Sequence, residues 1–375
     1  MSDDMTVWPI AMTKRGGILG DRRMRIPAYI PSRSNGTVIV AAATADGLNF
    51  TTHEYPCVTY YVNSQSNGTL FGPPETGSGT IEDPWVNLNS VFTSELFSCI
   101  IQNYCCLFVK IVITGTIDYY IDGKNRRFNN RLILDFQTAL NINWEKKKHE
   151  LSLEIVRNVH GVNFNNFAFA VTGDYAETES QAQVDIYIHC FVRCRRCIFY
   201  NHAGEIAMKN SISGTGARDH AALYVEYFRS CEQIQILDCT INIDLNSRSQ
   251  ETRSTDASVA HTRAAVVYDA QDALVIESHF TIKCVSHALD HSSGGDDFVA
   301  GIAQAFGLYR CRGMILSNTS ITCSANATGG SYKASYIACA LGSEAQYNNC
   351  TFSASQIQDN GDNRWTSSYE FVCYR

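Results

Sequence analysis

Gln235-Ile-Leu-Asp-Cys-Thr-Ile241 is the phrase on which the fold turns, because variants of it recur through the second half of the chain. Ile206-Ala-Met-Lys-Asn-Ser-Ile212, Val275-Ile-Glu-Ser-His-Phe-Thr-Ile282, Ile315-Leu-Ser-Asn-Thr-Ser-Ile321 and Gln346-Tyr-Asn-Asn-Cys-Thr-Phe352 share its plan. Each has an apolar start, a polar corner and an apolar finish. The last apolar residues of successive copies lie 29, 41, 39 and 31 positions apart. An imperfect period of roughly 30–40 residues predicts a solenoid whose turns carry loops of variable length.

A second apolar segment precedes most copies: Ala221–Phe228, Ala264–Tyr268, Ala300–Phe306 and Ala334–Ala340. Each turn therefore reads as strand, polar corner, strand, corner, strand and loop, with strands of about 4–6 residues. Alternation is clearest where Val184, Ile186, Ile188, Cys190, Val192 and Cys194 interleave with Asp185, Tyr187, His189, Phe191, Arg193 and Arg195. A period of two turns the first set inward and the second toward solvent. An α-solenoid would need a 3.6-residue period over ten or more residues per element, and none is present.

Composition agrees. The chain has 375 residues, 45% of them hydrophobic, enough to bury a large core. Charged residues make up only 18%, below the usual quarter, which suits stacked strands with uncharged polar ladders outside. A net charge of −7 argues against nucleic acid as the main partner. No run of about 18 apolar residues predicts a transmembrane segment. Met1-Ser-Asp-Asp-Met is acidic where a signal peptide would be basic, so either the chain is intracellular, or the signal has been removed, or export uses another route.

Residues 1–56 do not read as a solenoid turn. They hold Pro9, Pro27, Pro31 and Pro56 and a basic cluster of Lys14, Arg15, Arg22, Arg23, Arg25 and Arg33. The expectation is an extended basic N-terminal arm lying along the body or reaching an acidic neighbour, ahead of a solenoid domain over 57–375.

Thr59-Tyr-Tyr-Val-Asn63, Gly77-Ser-Gly-Thr-Ile-Glu-Asp-Pro-Trp85 and Gly115-Thr-Ile-Asp-Tyr-Tyr120 come next. This stretch resembles the entry segment of the pectate-lyase-like right-handed parallel β-helix superfamily. There a Tyr-Tyr-Val strand precedes a Gly-Thr turn ending in Pro-Trp or Pro-Phe, then an amphipathic helix and a Gly-Thr-Tyr first strand. The resemblance implies an all-β right-handed parallel β-helix with an N-terminal amphipathic capping helix over about 84–101. Asp83 is its expected N-cap, Pro84 its first residue, and Trp85, Leu88, Phe92, Leu96 and Cys99 its apolar stripe. Such a helix covers core side chains at the open end of the stack. The superfamily holds lyases, hydrolases, tailspikes and structural proteins, so it implies a fold and not an activity.

Catalytic patterns of that superfamily are incomplete here. Gly295-Asp296-Asp297 matches one of the four hydrolase motifs. No Gly-His-Gly or Arg-Ile-Lys occurs, and Asn318-Thr319 is followed by Ser320 where an acid belongs. Asp296 and Asp297 are read as a solvated loop. His287-Ala-Leu-Asp290-His291 has helical zinc spacing but loop-like surroundings, and Trp144-Glu-Lys-Lys-Lys-His149 reads as a charged loop. Cys190, Cys194 and Cys197 have iron–sulfur spacing, yet two of them fall on the inward face, where thiols pack as small hydrophobes. Cys239 and Cys350, and likewise Cys231 and Cys311, occupy matching places in their repeats, as rungs of an internal ladder. The fifteen cysteines are expected to be mostly free thiols, with no catalytic, cofactor-binding or metal residue assigned.

The function expected is a non-enzymatic structural or adhesive β-helix protein. It self-associates, as a homo-oligomer or filament through the arm and the solenoid ends, into an extracellular or cell-surface assembly. The alternatives are a polysaccharide lyase or hydrolase and a carbohydrate-binding tailspike-like module.

Overall fold

In a computed structural model the chain is a parallel β-solenoid built from three sheets, here called A, B and C. It describes residues 35–64, 77–88, 91, 107–115, 120–144, 152–177, 183–214, 218–251, 257–289, 299–329, 332–341, 344–358 and 365–369. Each coil runs from B through A to C. One example is Gln183–Val192, Ile198–Tyr200 and Ala203–Gly214; the next is Arg218–Arg229, Gln235–Leu237 and Thr240–Glu251. Strands pair with their counterparts in the next coil in parallel and in register, as Ile186 with Leu223, Leu223 with Thr262 and Thr262 with Ala303.

The polar corner of the repeat has a backbone cause. Asn166, Asn201, Asp238, Glu277, Asn318 and Asn349 all sit between sheets A and C in the left-handed region, at φ between 49° and 56°. Asn and Asp adopt it at least cost among residues with side chains. Their amides also stack: Asn201 Nδ2 donates to Asn166 Oδ1 at 2.6 Å, and Asn349 Nδ2 to Asn318 Oδ1 at 2.8 Å. A second left-handed column, Asn158, Arg193, Ser230, Asp269 and Arg310, makes the corner between B and A.

The register corrects the phase of two copies, and Val275–Ile282 shifts to Leu274–Phe280. Ile206–Ile212 lies wholly inside the strand Ala203–Gly214, and the true counterpart of Gln235–Ile241 is Ile198-Phe-Tyr-Asn-His-Ala-Gly204. Equivalent residues Ala203, Thr240, His279, Ser320 and Thr351 are 37, 39, 41 and 31 apart. The Ile198 copy hides because it puts His202 and Gly204 where the next coil has Cys239 and Ile241.

Strand lengths also differ from expectation. Sheet A strands shrink to three residues, whereas B and C strands run to twelve. Beyond the core, B and C back directly onto each other through small polar contacts. Asn210 Nδ2 donates to the carbonyls of Val184 and Ala222, Ser258 Oγ to Ser249 Oγ, and Ser286 Oγ to the Ile302 carbonyl. The section is thus a three-sided core with a flat two-layer flange, and the outer faces of B and C point away from each other. Inside the core, rings stack along the axis: Phe164 on Phe199 at 5.1 Å and Phe191 on Phe228 at 5.1 Å. Phe191, expected toward solvent, is fully buried because the corner reverses the alternation after Cys190.

Of the expected arm, residues 1–34 lie outside the described residues. Asn35–Ala43 pairs antiparallel with Phe50–Asn63, and this hairpin straps the outer face of sheet A. Ala41 packs on Ile198, Leu237 and Ile276, and Val38 on Ile133. Solenoid side chains satisfy the free edge of the strap: Asn165 Nδ2 donates to the Ile39 carbonyl at 3.0 Å, and Gln235 Oε1 accepts from the Ala43 amide at 3.4 Å. The tip is held by Ser317 Oγ, which donates to the Leu48 carbonyl. One coil further on, the outward positions become Gln346 and Asn348, and no apolar stripe remains to cover. Leu237→Ala is expected to lower stability by about 2–4 kcal/mol and to speed proteolysis between residues 44 and 49. Urea titration and peptide mapping measure both.

The expected capping helix over about 84–101 lies mostly outside the described residues, and it does not begin at Pro84. Trp85 bridges the first strand instead, donating its amide to the Tyr61 carbonyl and accepting from the Asn63 amide. Asp83 accepts from the Ser78 amide at 2.8 Å, closing a turn rather than capping a helix. Trp85 stacks on Tyr60 at 4.6 Å, and Leu88 and Val91 are buried beside them, so apolar side chains do cover the first coil. No helix among the described residues is long and apolar enough to cross a membrane.

Candidate functional site

The outer face of sheet B carries the densest polar and aromatic cluster among the described residues. Strand alternation makes it. Asp185, Tyr187 and His189 project outward from one strand, Tyr224 and Glu226 from the next, and His261 and Arg263 from the third. In-register stacking then turns residues some 37–40 positions apart into neighbours.

Glu226 is the centre of charge. Only 5% of its side chain is exposed, and it accepts contacts from Arg263 Nη2 at 2.9 Å and Arg229 Nε at 3.2 Å. Arg229 Nη1 also lies 2.8 Å from His189 Nε2, while His189 Nδ1 faces Glu226 at 3.5 Å. A guanidinium donates into Nε2 only when that nitrogen is unprotonated, so the imidazole is neutral. Burial, then Arg229 and Arg263, lowers the His189 pKa to about 4, which agrees with that geometry and not with a His–Glu ion pair.

Beside this lies a neutral relay. Tyr224 donates its hydroxyl to His261 Nδ1 at 3.0 Å, and His261 Nε2 donates to Gln304 Oε1 at 3.3 Å. Burial lowers the His261 pKa to about 4 and raises that of Tyr224 to about 12. Neither group is poised to move protons near pH 7. His220 Nδ1 pairs with Asp185 Oδ1 at 3.1 Å on the far side.

Among the described residues, one aromatic column has an open end. Tyr187 stacks on Tyr224 at 4.9 Å, and Arg263 covers the far side of Tyr224 with its guanidinium 5.1 Å from the ring centre. On the opposite side of Tyr187 the register places Ser152, an exposed residue with a small side chain. The outer ring face of Tyr187, a residue 37% exposed, therefore forms a shelf. Glu154 and Arg157, paired at 3.2 Å, flank the shelf along the strand of Ser152.

Asp185 and Glu226 do not form a glycosidase pair, although Asp122 and Glu154 both pair with Arg157 at 3.2 Å. His189 stands opposite Glu226, and Asp185 is four residues from His189, roughly 13 Å along a strand. Glycosidases need about 5–10 Å.

Asp296, Asp297, Asp290 and His291 fall outside the described residues. His287, read as part of a loop, lies in the strand His279–Leu289 with Nδ1 bound to Thr328 Oγ1 at 2.8 Å. Trp144 is fully buried, so it is no part of a surface basic patch, and residues 145–149 are not described. Cys190, Cys194 and Cys197 are buried free thiols, and no group of metal-ligating side chains occurs among the described residues. Cys194, Cys231 and Cys311 share one inner rung with Ala270, and Cys239 and Cys350 share another with Ser278 and Thr319.

Comparison with family models, with curated proteins and with solved structures finds no match for this chain.

Proposed function

We propose that the protein is a non-enzymatic adhesive β-solenoid, acting outside the cell or at its surface, that holds a polysaccharide on the outer face of sheet B. The open ring face of Tyr187 carries the proposal. It is a flat apolar surface fixed from behind by Tyr224 and rimmed by Glu154, Arg157 and Asp185, and a pyranose offers an apolar face and a hydroxyl rim to match. The neutral histidines support binding without turnover. Residues 35–56 are committed to their own solenoid, and self-association through the rest of the arm and the solenoid ends is part of this reading.

Calorimetry with cello-, xylo-, manno- and maltohexaose and with oligogalacturonate tests the reading. The expected result is binding of at least one, weakened roughly tenfold by Tyr187→Ala, with no new reducing ends on long incubation. Binding indifferent to Tyr187→Ala would remove the proposal, and hydrolysis would replace it.

A further inference from the structure

From a groove on the opposite wall, we infer a second glycan site, on the outer face of sheet C, which makes the solenoid a polysaccharide cross-linker. The inference rests on the sheet B reading for its second attachment point. The groove, of about 380 Å³, crosses five successive coils from Asn143 through Asp174, Lys209 and Asp244 to Lys283. Four strand spacings make it about 19 Å long, parallel to the solenoid axis and open to a linear chain.

Two small residues create it. Ala207 stands in the outward column between Thr172 and Asp244, where only a methyl group rises from the sheet. At Gly173 an added Cβ would lie 2.3 Å from Trp144 Cβ, so the strand lies against the buried tryptophan as only glycine allows. The floor is therefore rigid, set on a fully buried tryptophan.

The lining decides the ligand. Asp174 and Lys209 are neighbours in one column, and Asp244 and Lys283 form a 3.0 Å pair in the next, with both side chains 54% exposed. Two carboxylates and two ammonium groups cancel, so no net field favours an ion. Carboxylates and ammonium groups that remain half exposed have acceptors and donors to spare, and the amides of Asn143 and Asn246 add both kinds. Among the described residues no aromatic ring lines the groove, so the reading rests on its polar groups. Alternating donors and acceptors over five coils fit the paired hydroxyls of a neutral polysaccharide.

Sheets B and C back onto each other across the flange, so the Tyr187 shelf and this groove face opposite ways. Two polymer strands held on opposite faces of one rigid body are joined by it, and effective concentration raises the avidity of each attachment.

The test uses the full chain, the same neutral hexaoses and their parent polymers. Calorimetry should give two sites per chain for wild type. Tyr187→Ala should remove one, and Lys209→Ala or the groove-filling Ala207→Leu the other, each loss roughly tenfold in affinity or more. Turbidity of the matching polymer should appear with wild type and vanish with any one of the three substitutions. One site, lost in Tyr187→Ala and untouched by Lys209→Ala and Ala207→Leu, overturns the inference and leaves the sheet B reading standing. One site with the reverse sensitivity sinks the sheet B reading and with it cross-linking. Two sites without turbidity also overturn the inference.

Discussion

Acidification from pH 7 to pH 4 is expected to strip about 3 kcal/mol from the stability of the fold through one side chain, His202. Its ring is fully enclosed among Phe167, Phe169, Phe191 and Phe199. Nδ1 donates to the Phe167 carbonyl, and Nε2 accepts the Tyr227 hydroxyl at 2.5 Å. The neutral ring satisfies both nitrogens, and protonating Nε2 would take away the acceptor of the Tyr227 hydroxyl. Burial lowers the pKa to about 3, from 6.5 in an open chain.

A base with a depressed folded pKa contributes its full stability above the unfolded value. That contribution falls as the pH drops through 6.5 and is exhausted near 3. His189 and His261, each lowered to about 4, act in the same direction from partly solvated positions. Against its burial, the Asp122 carboxyl is lowered by hydrogen bonds from Lys124, Asn158 and Arg157, and it loses its contribution only at lower pH than these histidines. Thermal melts at half-unit intervals should show a steep fall below pH 6.5. His202→Gln should start lower at pH 7 and decline less steeply. An unchanged slope in that variant would show that His202 is not the group responsible.

The solenoid was legible because its cause is local. A left-handed corner favours Asn or Asp at a fixed point in each coil, and Asp238, Asn318 and Asn349 announce it. The inward placement of Cys190 and the outward placement of Tyr187 followed from alternation alone. The strap was not legible. Ile198, Leu237 and Ile276 face outward from three-residue strands, too short to display any period, and their cover comes from residues 41–50, far away in sequence. The charged network on sheet B escaped for a related reason. Its members lie about one coil apart, and coil lengths vary from 31 to 41, so no fixed spacing marks them. In the coil of Ile198 the phrase itself was obscured, because His202 and Gly204 replaced its apolar signal.

That obscured rung holds the most sensitive backbone position. Gly204→Ala is expected to destabilise the chain by roughly 2–5 kcal/mol. The added Cβ would fall 1.7 Å from Tyr227 Oη, 2.5 Å from Cζ and 2.8 Å from Cε2. Tyr227 has nowhere to go: it is fully buried, stacked on Phe169 at 5.4 Å and packed edge-on against Phe228 at 5.1 Å. Moving the ring also withdraws the hydroxyl from His202, so steric and hydrogen-bond losses are coupled. Adjacent coils fill one space between them. Where Ile241 occupies this rung in the next coil, Gly204 is bare because a tyrosine has taken the volume. Tyr227→Phe alone removes the donor to His202 and should cost about 1–3 kcal/mol. Combined with Gly204→Ala it relieves the 1.7 Å contact but leaves Cζ at 2.5 Å, so rescue is partial and the two losses are less than additive. Denaturation midpoints of the two single variants and the double variant measure this. Strict additivity would mean that Gly204 yields by a backbone shift, independent of the tyrosine.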